Sequence, residues 1–280
     1  MTEQKRTFIQ NVMVLFTGTA VSQLIPFLVL PILRKNYYGP VSGLSLTAIF
    51  QYFQYRRDVA DVERRNFSKW KLLGDHKSFI FHTTLIVFVG AFINFLSIEM
   101  FVENFGPASA GMVSVPMTYV GAGLGMVAAS ISLVYYGTIS GIHERKAVLS
   151  LYAKFLVRLT VILAVMTVLV WVLPASWVVG VLGDEWNDLI VYCRLISLWL
   201  GVWFVSSSLS FIYLRLQRQR EMLVFDVLHI ILVYASFHAG KAWGGDALSA
   251  LWGFTWAQII SYVIAIALAI RFIQVSKSLR

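Results

Sequence analysis

Eight apolar stretches long enough, or nearly long enough, to cross a bilayer follow one another along this chain, and Lys and Arg gather in alternate gaps between them. A helix of about 20 apolar residues spans the hydrocarbon core. The stretches fall near 8–33, 41–55, 78–101, 110–137, 152–173, 189–214, 221–238 and 247–271. The second is the shortest and carries Gln51 and Gln54. Only 13% of residues are charged and mean hydropathy is +0.73, whereas a soluble domain carries about a quarter charged residues. The pattern predicts an all-α integral membrane protein with about eight transmembrane helices.

A net charge of +9 raises nucleic acid as a partner, but the distribution of the charges argues for a membrane. Arg56, Arg57, Arg64, Arg65, Lys69, Lys71 and Lys77 share one gap. Arg145, Lys146 and Lys154 lie near a second, Arg215, Arg218 and Arg220 in a third, and Arg271, Lys277 and Arg280 at the end. The intervening gaps 102–109 and 174–188 hold no Lys or Arg. This is the positive-inside pattern. It predicts an inner-membrane protein with both termini cytoplasmic. Arg34 and Lys35 defy it, because they fall on the predicted outer side, and Lys241 is a lesser exception. The first stretch is too long for the apolar region of a secretory signal and reads as a retained span.

Three segments are expected: two helices in 1–55, a basic cytoplasmic segment at 56–77, and six helices in 78–280 with short connections and a short tail. Gln23, Pro26 and Pro31 interrupt the first helix; proline is tolerated there where neighbours or a cavity satisfy the freed carbonyls. The run Gly121-Ala-Gly-Leu-Gly125 lies inside a span, so it reads as a close-packing face rather than a phosphate loop. Ser206 to Ser210 is a second small-residue contact. Asn66-Phe-Ser68 has the letters of a glycosylation sequon but falls on the predicted cytoplasmic side. A single cysteine, Cys193, excludes an internal disulfide.

Ionisable residues within spans are costly and mark function or structural pairing. Arg158 lies near an inner end, where snorkelling to headgroups accounts for it. Arg194 lies a turn or two inside the sixth span. Asp226 and His229, three apart, share one helix face in the seventh. For Arg194 and for the Asp226–His229 pair, a polar cavity and a structural interhelical bond both remain open. No nucleophile–base arrangement, paired carboxylates or metal-ligand cluster is evident in the sequence. The expectation is therefore a protein that is not an enzyme and uses no cofactor or metal.

From residue 78 onward the chain resembles the C-terminal half of polysaccharide flippases, the O-antigen and exopolysaccharide translocases of the multidrug/oligosaccharidyl-lipid/polysaccharide exporter superfamily. Phe105-Gly-Pro-Ala-Ser-Ala-Gly111 is similar to the family's FG…AG turn, with Pro116 following. Pro174 and then Val181-Leu-Gly-Asp-Glu-Trp186 resemble its FG-x-x-W element. Tyr192, Trp199, Ser206-Ser-Ser-Leu-Ser210 and Arg218-Gln219 come next in the family's order. At the N-terminus, Asn11, Gln23-Leu-Ile-Pro26, the Arg34 and Tyr37 to Gly43 loop, and Arg56-Arg-Asp-Val-Ala60 resemble its opening helices. The family has two six-helix lobes, so this chain lacks about four central helices by comparison.

The resemblance implies flipping of a lipid-linked oligosaccharide during surface-polysaccharide biosynthesis, with cations along the route for the lipid pyrophosphate. Arg34, Lys35, Arg56 and Arg194 are the candidates, since arginine forms paired, charge-assisted bonds to phosphate. Asp226 and His229 are candidates for coupling or for a structural bond. Expected partners are the lipid-linked oligosaccharide, membrane lipids, and a polymerase or glycosyltransferases, with self-association open and no nucleic acid. Two alternatives stand beside this reading: a non-transporting component of a polysaccharide assembly complex, and a cation-coupled small-molecule exporter.

Overall fold

A computed structural model describes residues 77–276 and Leu279, within the second of two units, Lys77–Arg280. The expected helices at 8–33 and 41–55 and the basic segment up to residue 76 lie outside the described residues, and Arg34, Lys35 and Arg56 lie outside with them. Every regular element described is helical: α1 (Lys77–Ser140), α2 (Arg145–Val172), α3 (Ala175–Leu182), a 3-10 turn (Asp184–Trp186), α4 (Leu189–Ser208), α5 (Phe211–Arg215), α6 (Gln219–Gly244) and α7 (Ala247–Val275). Among the described residues, five of these helices are long and apolar enough to cross a membrane. The described part of the protein is thus helical, with helices that could span a bilayer.

The 64 residues of α1 would run about 96 Å if straight, some three times the hydrocarbon core. They do not run straight. Gly106 takes φ 82° and ψ 172°, a conformation open to glycine and strained for residues with a Cβ. Pro107 follows, with no N–H to offer the preceding turn. Gly90 and Ala122 line one cleft, although they would sit about 48 Å apart along an unbroken helix. The arms 77–105 and 107–140 therefore fold back on each other. Lys241 at the end of α6 donates to the side-chain oxygen of Asn104 at 2.6 Å, which ties this hairpin turn to the α6–α7 turn. The gap expected at 102–109 is thus a bend without a loop. Pro116 lies inside the second arm without breaking it, since the only non-helical dihedrals in α1 are those of Gly106.

α4 is the centre of the bundle. More than half of its apolar window (56%) is buried, against 6% for α2, so α4 is a core helix and α2 a peripheral one. The sixth expected span, 189–214, matches one membrane-length stretch, Leu189–Arg215, with a tight turn inside it. The helix stops at Ser208 and restarts as α5, because serine hydroxyls compete for the backbone carbonyls. Ser132 of α1 donates to the carbonyls of Ser207 and Ser208 at 3.0 and 3.1 Å, satisfying the open end of α4.

α6 and α7 form a close antiparallel pair. Gly245 turns the chain with φ 76°. Asp246 caps α7 by accepting from the Ser249 backbone N–H at 2.8 Å. The Ser249 hydrogen bonds hold the Asp246 carboxyl below its usual range. A side chain at Gly253 would collide with the Ser236 carbonyl, and one at Gly240 would meet the Ala250 Cα at 3.2 Å. This is the tightest backbone approach among the described helices. Gly121 and Gly125, expected at such a contact, pack instead against the side chains of Leu200 and Trp203. Gly123 has nothing within 4 Å of where a Cβ would stand.

Two apolar clusters fill the bundle. One joins Phe101, Trp199, Phe237 and Phe254 between α1, α4, α6 and α7. Their rings meet edge to face, as with Phe101 and Phe237 at 5.0 Å. The other joins Tyr135, Tyr152, Phe204, Ile212 and Ile273 at the opposite end. There Arg145 donates to the carbonyls of Ser276 and Leu279 at 2.9 and 3.2 Å, anchoring the segment after α7 to the start of α2.

Candidate functional site: a polar cleft between the helices

Both arms of α1, together with α4, α6 and α7, enclose a cleft of about 730 Å³. Its lining is largely apolar, with polar side chains from four helices set into it. α1 contributes Asn94 and Thr118, and the serine-rich end of α4 contributes Ser206 and Ser207 with Ser210 just beyond. α6 contributes Asp226 and His229, and α7 contributes Gln258 and Tyr262. Trp199 and Trp203, four apart on α4, supply aromatic surface.

The spacing of each set explains its convergence. Asp226 and His229 share a face of α6, and Gln258 and Tyr262, at i and i+4, share a face of α7. The glycine-dependent approach of α6 to α7 places the two faces together. His229 Nε2 lies 2.8 Å from the Gln258 side-chain oxygen, and the Tyr262 ring stands edge-on to the imidazole at 5.3 Å. Both His229 and Gln258 are buried, so each needs the other. Asp226, one turn away, makes no ion pair among the described residues. Of the described side chains lining the cleft, none is Lys or Arg.

The candidates named from sequence separate on this frame. Asp226 and His229 both line the cleft. Arg194 does not. Its Nη2 donates to the carbonyl of Leu173 at 3.1 Å, where α2 ends because Pro174 follows. Its Nε is buried without a partner among the described residues. Arg158 is exposed on α2. Sequence reasoning missed Gln258, Tyr262, Asn94 and the inward role of Trp203. The i, i+4 polar pair on α7, inside an otherwise apolar span, was the available signal. No group of three or more His, Cys, Asp or Glu suited to a metal occurs among the described residues.

The arrangement suits a ligand with many hydroxyls. Carboxylate, amide and hydroxyl groups exchange hydrogen bonds with such a ligand, and indole and phenol faces pack on its C–H surfaces. No protein-family model matches the chain, and no curated protein or solved structure shows significant similarity to it.

Proposed function

We propose that this chain moves a lipid-linked oligosaccharide across the inner membrane during surface-polysaccharide biosynthesis, as a shortened relative of the polysaccharide flippases. The observation that carries the reading is the cleft, where polar side chains from α1, α4, α6 and α7 and two tryptophans converge on a largely apolar lining. The sugar occupies that space and the polyprenyl chain stays in lipid. The cations for the pyrophosphate are Arg34, Lys35 and Arg56. Arg194 supports α2 in this scheme rather than touching substrate. Division of α1 at Gly106 supports six passes from residue 78 onward, hence eight in all with both termini cytoplasmic. The chain acts as a transporter and catalyses no covalent step; polymerase and glycosyltransferases are its expected neighbours.

The test is translocation of a labelled lipid-linked oligosaccharide in proteoliposomes. The expected result is protein-dependent movement that Trp203→Ala and Gln258→Leu reduce about tenfold or more, in line with loss of about 1.4 kcal/mol or more of binding. No movement above protein-free vesicles overturns the reading and leaves the non-transporting component. Asp226 favours a second reading, a cation-coupled small-molecule exporter, because a carboxylate with no ion pair among the described residues, in a membrane cleft, is a place for a cation. That reading predicts efflux of small molecules driven by a cation gradient and indifference to lipid-linked sugar in the same vesicles.

A further inference from the structure

α2 poses a charge problem that no part of the described protein resolves. It is the peripheral helix of the bundle. Val157, Val161 and Ile162 are 61%, 57% and 47% exposed, as expected for a face turned to lipid. On that face, within the apolar run, stand Lys154 and Arg158, both exposed. Between Arg158 and the end of α2 there is no other charged residue. Neither cation makes an ion pair among the described residues.

The described neighbours supply no counter-charge. α4 and α7 pack against α2, and so does the 107–140 arm of α1 through Tyr135 and Tyr152. α4, α7 and that arm contain no Asp or Glu. A cation held in apolar surroundings recruits an anion or withdraws toward the headgroups. The helix favours one place for both. Residues four apart lie about 6 Å apart along the axis and about 40° apart around it. Helical side chains lean toward the N-terminus. Arg158 thus leans back over Lys154, toward the end of α2 that carries Arg145 and Lys146. Lys154 leans the same way, so guanidinium and ammonium both reach along one face toward the headgroups at that end. Arginine supplies a planar fork and lysine a compact charge.

We propose that Lys154 and Arg158 hold the phosphate of an anionic phospholipid in the leaflet at the N-terminal end of α2. The site lies on the outer surface of the bundle and does not depend on what the cleft transports. An anionic lipid there supplies the counter-charge that the described helices lack and fixes the depth of α2.

Native mass spectrometry of the full chain tests this, with phosphatidylglycerol or phosphatidylcholine added to the detergent-solubilised protein. The expected result is preferential retention of phosphatidylglycerol. A juxtamembrane cation strengthens such attraction by about fivefold, so Lys154→Gln with Arg158→Gln weakens retention by about 25-fold and each single change by about fivefold. Arg220→Gln, an exposed cation on α6, leaves retention within about twofold. Equal retention of the two lipids by the unaltered protein overturns the proposal, and that comparison needs no variant to fold. A loss with Arg220→Gln as large as with the pair overturns it in favour of diffuse surface charge. Displacement of the lipid by excess inorganic phosphate overturns it in favour of a free-anion site.

Discussion

Arg194 holds the carbonyl at the end of α2, and a hydrogen bond to a charged group is worth about 1.5–3 kcal/mol. Arg194→Leu is therefore expected to lower thermal stability in detergent by that order while leaving transport per folded molecule unchanged. A loss of transport with unaltered stability would return Arg194 to the substrate route. His229 and Gln258 behave differently, because each satisfies the other inside the cleft. Changing either alone to Leu strands a buried polar group at a cost of about 1–3 kcal/mol, and changing both restores much of it. A double-mutant cycle by thermal unfolding measures the coupling; strictly additive losses contradict the 2.8 Å contact. The polar spacing of Asp226 and His229 was legible in the sequence. Gln258 as the partner was not, because 29 residues separate it from His229. Periodicity along one helix does not say which faces of two helices meet.

At the level of elements, glycine shows the same boundary. A glycine run in a membrane helix signals close packing, and Gly121 and Gly125 do face α4. The backbone-to-backbone approach lies elsewhere, at Gly240 and Gly253, which the sequence does not distinguish from any other span glycine. Gly253→Ala is expected to destabilise by about 1–3 kcal/mol through overpacking. Gly123→Ala, with open space at its Cβ, is expected to be neutral or to stabilise by up to about 1 kcal/mol. Melting temperatures of the two variants, measured side by side, check the contrast. The cap of α7 adds a pH dependence. Because Asp246 has a carboxyl pKa below its usual value when folded, its contribution is fully present above about pH 4. That contribution fades as pH falls through the lowered value. Amide exchange at Ser249 should accelerate in that acid window relative to the middle of α7. Asp246→Ala should abolish the difference.

For the whole molecule, the sequence located the apolar helices from residue 78 onward, with the start of α2 expected at 152 and found at Arg145 and the end of α6 expected at 238 and found at Gly244, since membrane solvation imposes length and continuity directly. It placed the connections but did not show their form. The connection at 102–109 is a bend inside α1, 174–188 holds α3 and a 3-10 turn, and the span from 189 breaks at Ser208. Local backbone chemistry at Gly106, Pro174 and the serine run decides these, and hydropathy does not register it. The fold-back of α1 fixes a topology that labelling can read. With both arms crossing, Glu103 and Ser176 lie on one side of the membrane, and Ser140 and Arg220 on the other. All four are exposed. In a Cys193→Ser background, an impermeant thiol reagent applied outside should modify Glu103→Cys and Ser176→Cys, and should spare Ser140→Cys and Arg220→Cys until the membrane is opened. Labelling of Glu103→Cys and Ser140→Cys from the same side means that the second arm does not cross. The cleft between the two arms would then not lie within the bilayer, and a membrane-embedded sugar path through it would be lost.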